Sequence, residues 1–256
     1  MVFRKGKHVL QTEIAIIGGG LGGCAAALAA LEMGARVIMT EETDWIGGQL
    51  TSQGVPPDEN RWIESHGCTR RYRSLRDGIR EYYRRFFPLT ASARASDQLN
   101  PGMGAVSRLC SEPRVGLAVL EAMLARYQAS QQLQILLDHR PMSAAVEGDS
   151  VKSVRVRSLR SGNDVVIDAS MFIDATELGE LLPMAGVEHV MGAESRSEFG
   201  EPHAPEQASR RNQQAFTVCF AIDHVEGQDH TIDPPASYSF WRNYVPKLRP
   251  AWPGRL

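Results

Sequence analysis

Two short apolar runs near the start of the 256-residue chain flank a longer stretch rich in alanine and leucine. Residues 13–17 are mostly apolar and end at glycine, as in a strand buried on both faces of a parallel sheet. Residues 21–33 favour helix with Gly34 as a natural stop, and residues 36–40 read as a second strand. The pattern is thus β-α-β. Farther on, Tyr72, Leu75, Ile79, Tyr82 or Tyr83, and Phe86 recur at helical spacing, which predicts an amphipathic helix over residues 69–87. Its arginines offer a face for phosphate or an acidic substrate, but read better as a solvated face with i,i+4 pairs such as Arg73–Asp77 and Glu81–Arg85. Residues 91–104, small, polar and broken by Pro101, read as a surface loop. Ser111 offers an N-cap and Pro113 a first turn for a helix running to about Tyr127. From there the pattern turns to strands over residues 133–137, 143–146, 151–156, 165–167 and 170–173, with another over 215–225.

The first turn of the β-α-β unit reads "GGGLGG", and Gly18, Gly20 and Gly23 have the spacing G-x-G-x-x-G. Between a strand and a helix, that spacing serves a tight turn, close approach of a pyrophosphate, and close helix–strand packing. The helix N-terminus adds unpaired N–H groups and a positive dipole end. A carboxylate closing the second strand is suited to ribose hydroxyls; Glu41 and Glu42 compete for that position, with Asp44 farther along. Gly47-Gly48 gives E-x5-G-G from Glu41, either a second backbone approach to the ligand or a plain loop between elements.

Composition changes this picture little. A formal net charge of -2 gives no global reason to expect nucleic acid or a membrane surface as partner. The charge-free run 14–30 could pass for a signal peptide or membrane span, but five glycines cluster inside it, so it reads as the buried strand-turn-helix. Cys24, Cys68, Cys110 and Cys219 are far apart with no CxxC, which suits reduced thiols and a cytoplasmic location. The histidines show no H-E-x-x-H pattern, so no metal site is expected, and neither a G-x-S-x-G nor a phosphate-loop signature occurs.

The segments "IIGGGLGG", "EETDWIGGQLTSQ" and "FIDATELGELLPMAGV" resemble the FAD-dependent oxidoreductase family of the glutathione-reductase-like superfamily, akin to fumarate reductase flavoproteins. The resemblance implies an α/β fold: a Rossmann-like FAD-binding domain, a parallel sheet with an antiparallel β-meander, in residues 1–54 and 131–200. A mainly helical insertion would fill residues 55–130, and residues 201–256 would begin a substrate domain whose remainder is missing, so that the chain is a fragment. It further implies that Gly18, Gly20, Leu21, Gly22 and Gly23 hold the FAD pyrophosphate and Glu41 the ribose. Gly47, Gly48, Gln49, Thr51 and Ser52 would lie along the pyrophosphate and flavin, and Met142 near where the backbone reads adenine. Ala175 and Thr176 occupy an A-T-G motif in which Glu177 replaces the usual glycine; an ordinary turn capped by Thr176 is the alternative.

The activity so implied is hydride transfer between a small-molecule substrate and flavin, with an unidentified electron acceptor. Catalytic residues are left unassigned: Gln53, His66 and Cys68 are candidates near the flavin, against readings as a surface His and a structural thiol. A truncated, non-catalytic FAD-binding or interaction module is the alternative. An NAD enzyme using the same fingerprint fits the E-x5-G-G spacing and the A-T turn less well.

Overall fold

The structure, a computed structural model, describes residues 8–246 and 251; the extreme ends of the expected segments lie outside the described residues. The chain divides into two compact units, residues 1–219 and 220–256. The first is built on one six-stranded sheet in the order β3-β2-β1-β6-β5-β4. β1 (His8–Ile17) pairs in parallel with β2 (Val37–Thr40) and with β6 (Asp164–Asp174), and β2 pairs in parallel with β3 (Leu133–Leu136). β4 (His139–Glu147) and β5 (Ser150–Ser158) continue the sheet antiparallel beyond β6. The expected parallel sheet with a meander is therefore present, and the meander extends the sheet through β6.

Alternation along the strands gives each face its own core. Ile16, Val37, Met39 and Leu133 point to the side covered by α1 (Leu21–Glu32), α2 (Arg70–Phe86) and α4 (Pro113–Ala129). Ala15, Ile17 and Ile38 point the other way, where Val154, Val156 and Ile167 of the meander and Leu181 of the short α5 (Leu181–Met184) meet them. β1 starts at His8, ahead of the expected residue 13, because it pairs with β6 over its whole length from His8↔Val165 to Ile17↔Asp174. For the same reason residues 165–167 and 170–173 form one strand.

Several expectations are corrected. α2 is no solvated ridge: Arg76 and Arg80 are buried, paired with Glu59 and Glu64 from the preceding loop. The Glu81–Arg85 pair forms at 2.8 Å, but Arg73 donates to the carbonyls of Ile63 and Glu64 and not to Asp77. The loop over 91–104 begins with α3 (Ala91–Ala95), whose N-cap Thr90 accepts the Ala93 N–H. The N-cap of α4 is Glu112, one residue after Ser111, which sets Pro113 at the helix start. Of the two remaining short helices, α6 (Arg196–Phe199) begins with a Ser195–Glu198 capping box and α7 is Tyr238–Asn243. Residues 215–225 form no strand, and Phe216, Val218, Phe220 and Ile222 are exposed; alternation alone makes no ladder without a partner strand among the described residues. No helix among the described residues is long and apolar enough to cross a membrane.

Candidate dinucleotide-binding site

The site lies where β1 ends and α1 begins. Backbone crowding dictates two of the three spaced glycines. A Cβ on Gly18 would stand 2.1 Å from the Ala175 carbonyl oxygen, and one on Gly23 would stand 2.0 Å from the Gly18 oxygen. Gly18 also has φ +107°, a conformation that disfavours a side chain. Here the turn after β1 crosses the end of β6, and the Ala175 N–H donates to the Ile17 carbonyl at 2.8 Å. Gly20 differs: the nearest atom to its hypothetical Cβ is the Glu177 Oε1, at 3.4 Å. The protein's own backbone leaves that space open. Gly20 is also the N-cap of α1, which has no side-chain cap and no acidic residue in its first turn, so no side chain of the helix itself neutralises its leading N–H groups.

Of the competing carboxylates, Glu41 is the one held against the turn. It is buried, accepting the Gly19 N–H at 3.0 Å and the Thr43 N–H at 2.8 Å. Gly19, absent from the spaced fingerprint, is fixed by this packing, since a Cβ there would lie 2.8 Å from the Glu41 Cβ. Glu42 is exposed and faces Arg140 at 3.8 Å, whereas Asp44 borders a separate cavity with Ile46 and Glu121. Glu41, Glu42 and Glu180 line a small cavity of about 40 Å³ beside Gly18 and Gly20. Burial, and then the charge of Glu42, push the Glu180 carboxyl above the usual carboxylate range. The wall of that cavity on β4 is made by His139 and Pro141. Met142, half-buried where the register shifts between Pro141 and Ser143, does not line it.

On the other side of Gly20 a larger cavity of about 320 Å³ is bordered by Leu21, Gly22, Gln49, Asp58, Tyr72 and Thr176, among others. The Gly47-Gly48 pair stacks on the glycine turn itself: Gly47 bridges Gly20 in parallel and its N–H donates to the Gly19 carbonyl at 2.8 Å. Gly47 has φ +103°, and a Cβ on Gly48 would lie 3.2 Å from the Gly20 Cα. Gln49 reaches the cavity, donating to Asp58 Oδ2 at 3.1 Å. Thr51 is buried with its hydroxyl on the Ile46 carbonyl at 2.6 Å, and Ser52 Oγ reaches back to the Gly48 carbonyl at 3.5 Å, so both hold the loop's shape.

Asp174, which the sequence reading passed over, organises the remaining wall. Its Oδ1 accepts the Thr176 N–H and hydroxyl at 3.0 and 2.7 Å, and its Oδ2 accepts the Leu181 N–H at 3.0 Å. The Glu180 N–H donates to the Thr176 hydroxyl at 2.8 Å. The signal in the sequence was an Asp closing a strand two residues before a Thr, a pair suited to a side-chain-capped turn. Ala175 and Thr176 border both cavities, as does Glu177, whose Oε1 accepts from Gln53 Nε2 at 3.0 Å. His66 lies elsewhere, against Ser65 Oγ at 2.9 Å and the Trp62 ring, and neither it nor Cys68 lines these two cavities. Among the described residues no group of His, Cys, Asp and Glu could hold a metal ion.

The chain is similar to parts of several solved structures. L-proline dehydrogenase from P. horikoshii is 18% identical, with 68% of this chain and 24% of that one covered and a TM-score of 0.36. A geranylgeranyl bacteriochlorophyll reductase-like protein from Thermoplasma acidophilum is 16% identical, with 72% and 45% covered and a TM-score of 0.43. Glycerol-3-phosphate dehydrogenase from Bacillus halodurans, complexed with FAD, is 14% identical, with 65% and 34% covered and a TM-score of 0.41. The chain thus spans less than half the length of each of these three proteins. No curated protein matches it in sequence. Residues 13–252 match the profile of the family described as FAD dependent oxidoreductase, and the chain belongs to that family.

Proposed function

We propose that the turn from Gly18 to Gly23 cradles the FAD diphosphate, with Glu41 as the partner of the adenosine ribose, in an enzyme that moves hydride between a small-molecule substrate and flavin. The observation that carries this reading is the opening at Gly20: a Cβ at Gly18 or Gly23 would stand about 2 Å from a backbone oxygen, yet at Gly20 no backbone atom crowds the side-chain position. FAD fits the residues present. Leu21 and Gly22 present first-turn backbone donors, Glu41 is pinned at the end of β2, and Gly47-Gly48 braces the turn from behind. The bound flavin supplies the hydride chemistry, and this chain's residues bind and orient it.

In this reading residues 1–54 and 131–200 form the FAD-binding domain, 55–130 the insertion, and 201–256 belong to a substrate domain. Gln49, which reaches the larger cavity, faces the flavin side, whereas Thr51 and Ser52 act through the loop they stabilise. The backbone at Met142 lies on the adenine side, beside Pro141 and His139 of the small cavity's wall. When bound, the cofactor would be reoxidised by an electron acceptor. The four free cysteines suit the reducing cytoplasm.

The test is a visible-absorption titration of the chain with FAD, repeated on Glu41→Ala. Saturable binding that weakens at least tenfold in the variant, with its circular dichroism unchanged, is the expected result. Absence of binding to the parent chain, or equal binding by a folded Glu41→Ala, contradicts the assignment.

A further inference from the structure

The two cavities beside the glycine turn meet at Gly20, and the group that stands between them is Glu177. Both cavities are bordered by Gly20, Ala175, Thr176 and Glu177. The Glu177 Oε1 lies 3.4 Å from the place a Cβ on Gly20 would take and 3.1 Å from that on Gly48. The carboxylate therefore overlies the opening that the glycines leave. It is held there by an amide, Gln53 Nε2 at 3.0 Å, so this contact brings no cationic charge to neutralise it. Glu177 is exposed, and a side chain held by one exposed hydrogen bond swings out at small cost.

We infer that Glu177 and Gln53 form a displaceable latch over the phosphate cradle, which a dinucleotide must open before its diphosphate can settle on the backbone at Gly20. The inference rests on the assignment of that turn as the diphosphate site. Its physical basis is like-charge exclusion: a carboxylate and a diphosphate repel one another at contact distance. A ligand that must first displace the latch binds with its affinity reduced by the fraction of molecules in which the latch is closed.

The experiment is an FAD titration, followed by quenching of flavin fluorescence, on the parent chain, Glu177→Gln and Gln53→Ala at low and high salt. Glu177→Gln keeps the size of the side chain and removes its charge, so FAD should bind about tenfold more tightly at low ionic strength. The advantage should shrink as salt is raised. Gln53→Ala releases the carboxylate from its holder and should also tighten binding, by about threefold. Unchanged or weaker binding by Glu177→Gln overturns the latch, and weaker binding would make Glu177 a ligand of the cofactor. Weaker binding by Gln53→Ala overturns the holding role in the same way. If none of the three proteins binds FAD, the cradle assignment itself is refuted and the latch falls with it, whereas binding without the gain refutes the latch alone.

Discussion

Replacing Glu64 with alanine tests the least expected feature of the fold. Its carboxylate receives four hydrogen bonds from two buried guanidinium groups: Arg76 Nη1 and Nη2 at 3.1 and 2.8 Å, and Arg80 Nη1 and Nη2 at 2.9 and 2.8 Å. Arg76 also holds Glu59 in a two-pronged pair, whose Oε1 takes the Tyr72 hydroxyl as well, and Arg80 caps the Leu99 carbonyl. The bonds from Arg80, then those from Arg76, hold the Glu64 carboxyl at about 2, down from an ordinary 4.5. That difference corresponds to about 3 kcal/mol, the low end of the roughly 3–5 kcal/mol lost when a buried pair is broken. For a domain of this size it lowers the melting temperature by roughly 6–12 °C. The sign with pH follows from the depression: the contribution is complete above the ordinary value of 4.5 and is lost as pH falls through about 2. Urea denaturation of the parent chain, Glu64→Ala and Glu64→Gln at pH 7 and at steps down to pH 3 is the assay. Both variants should be less stable at pH 7, and the gap to the parent should narrow by roughly half between pH 5 and pH 3. A loss below about 1 kcal/mol at neutral pH, or a gap that does not depend on pH, would refute the reasoning.

Other outcomes follow from the same contacts. Gly18→Ala and Gly23→Ala each force a Cβ to about 2 Å from a backbone oxygen. Both should therefore lose folded yield or melt many degrees lower, whatever the cofactor; a parent-like melting curve for either would contradict the crossing described. Burial, reinforced by the charge of Glu41, pushes the Cys24 thiol up to about 12. At pH 8 a thiol reagent followed by peptide mass mapping should label exposed Cys219 quickly and leave Cys24 unmodified until the chain unfolds.

The β-α-β unit was legible because strand, turn and helix are contiguous and each signal is local: an apolar run, spaced glycines, an alanine-rich helix. What the residues could not show was which atoms occupy the space around each glycine. Gly18 answers to a backbone crossing with Ala175 far along the chain, Gly23 to the carbonyl of Gly18 within the turn itself, Gly19 to Glu41, and Gly20 to an opening. The arginine-rich helix misled for a related reason. Spacing within residues 70–86 reveals i,i+4 pairs only, while the partners of Arg76 and Arg80 arrive from a loop 12 to 17 residues earlier. Met142 sits at a register shift in β4 that leaves Pro141 and His139 lining the small cavity, a detail that cannot be read from alternation. The alternation in residues 215–225 was real, but a strand needs a neighbour, and the described residues provide none.

The most direct measurement is the FAD affinity of Gly20→Ala set beside its thermal stability. A methyl at Gly20 meets only the Glu177 carboxylate, at 3.4 Å, so the folded chain has room for it, whereas a diphosphate seated on that backbone does not. The account predicts a melting temperature within a few degrees of the parent chain and FAD binding weakened by at least about tenfold, which is 1.4 kcal/mol. A stable Gly20→Ala that binds FAD as the parent does would contradict it.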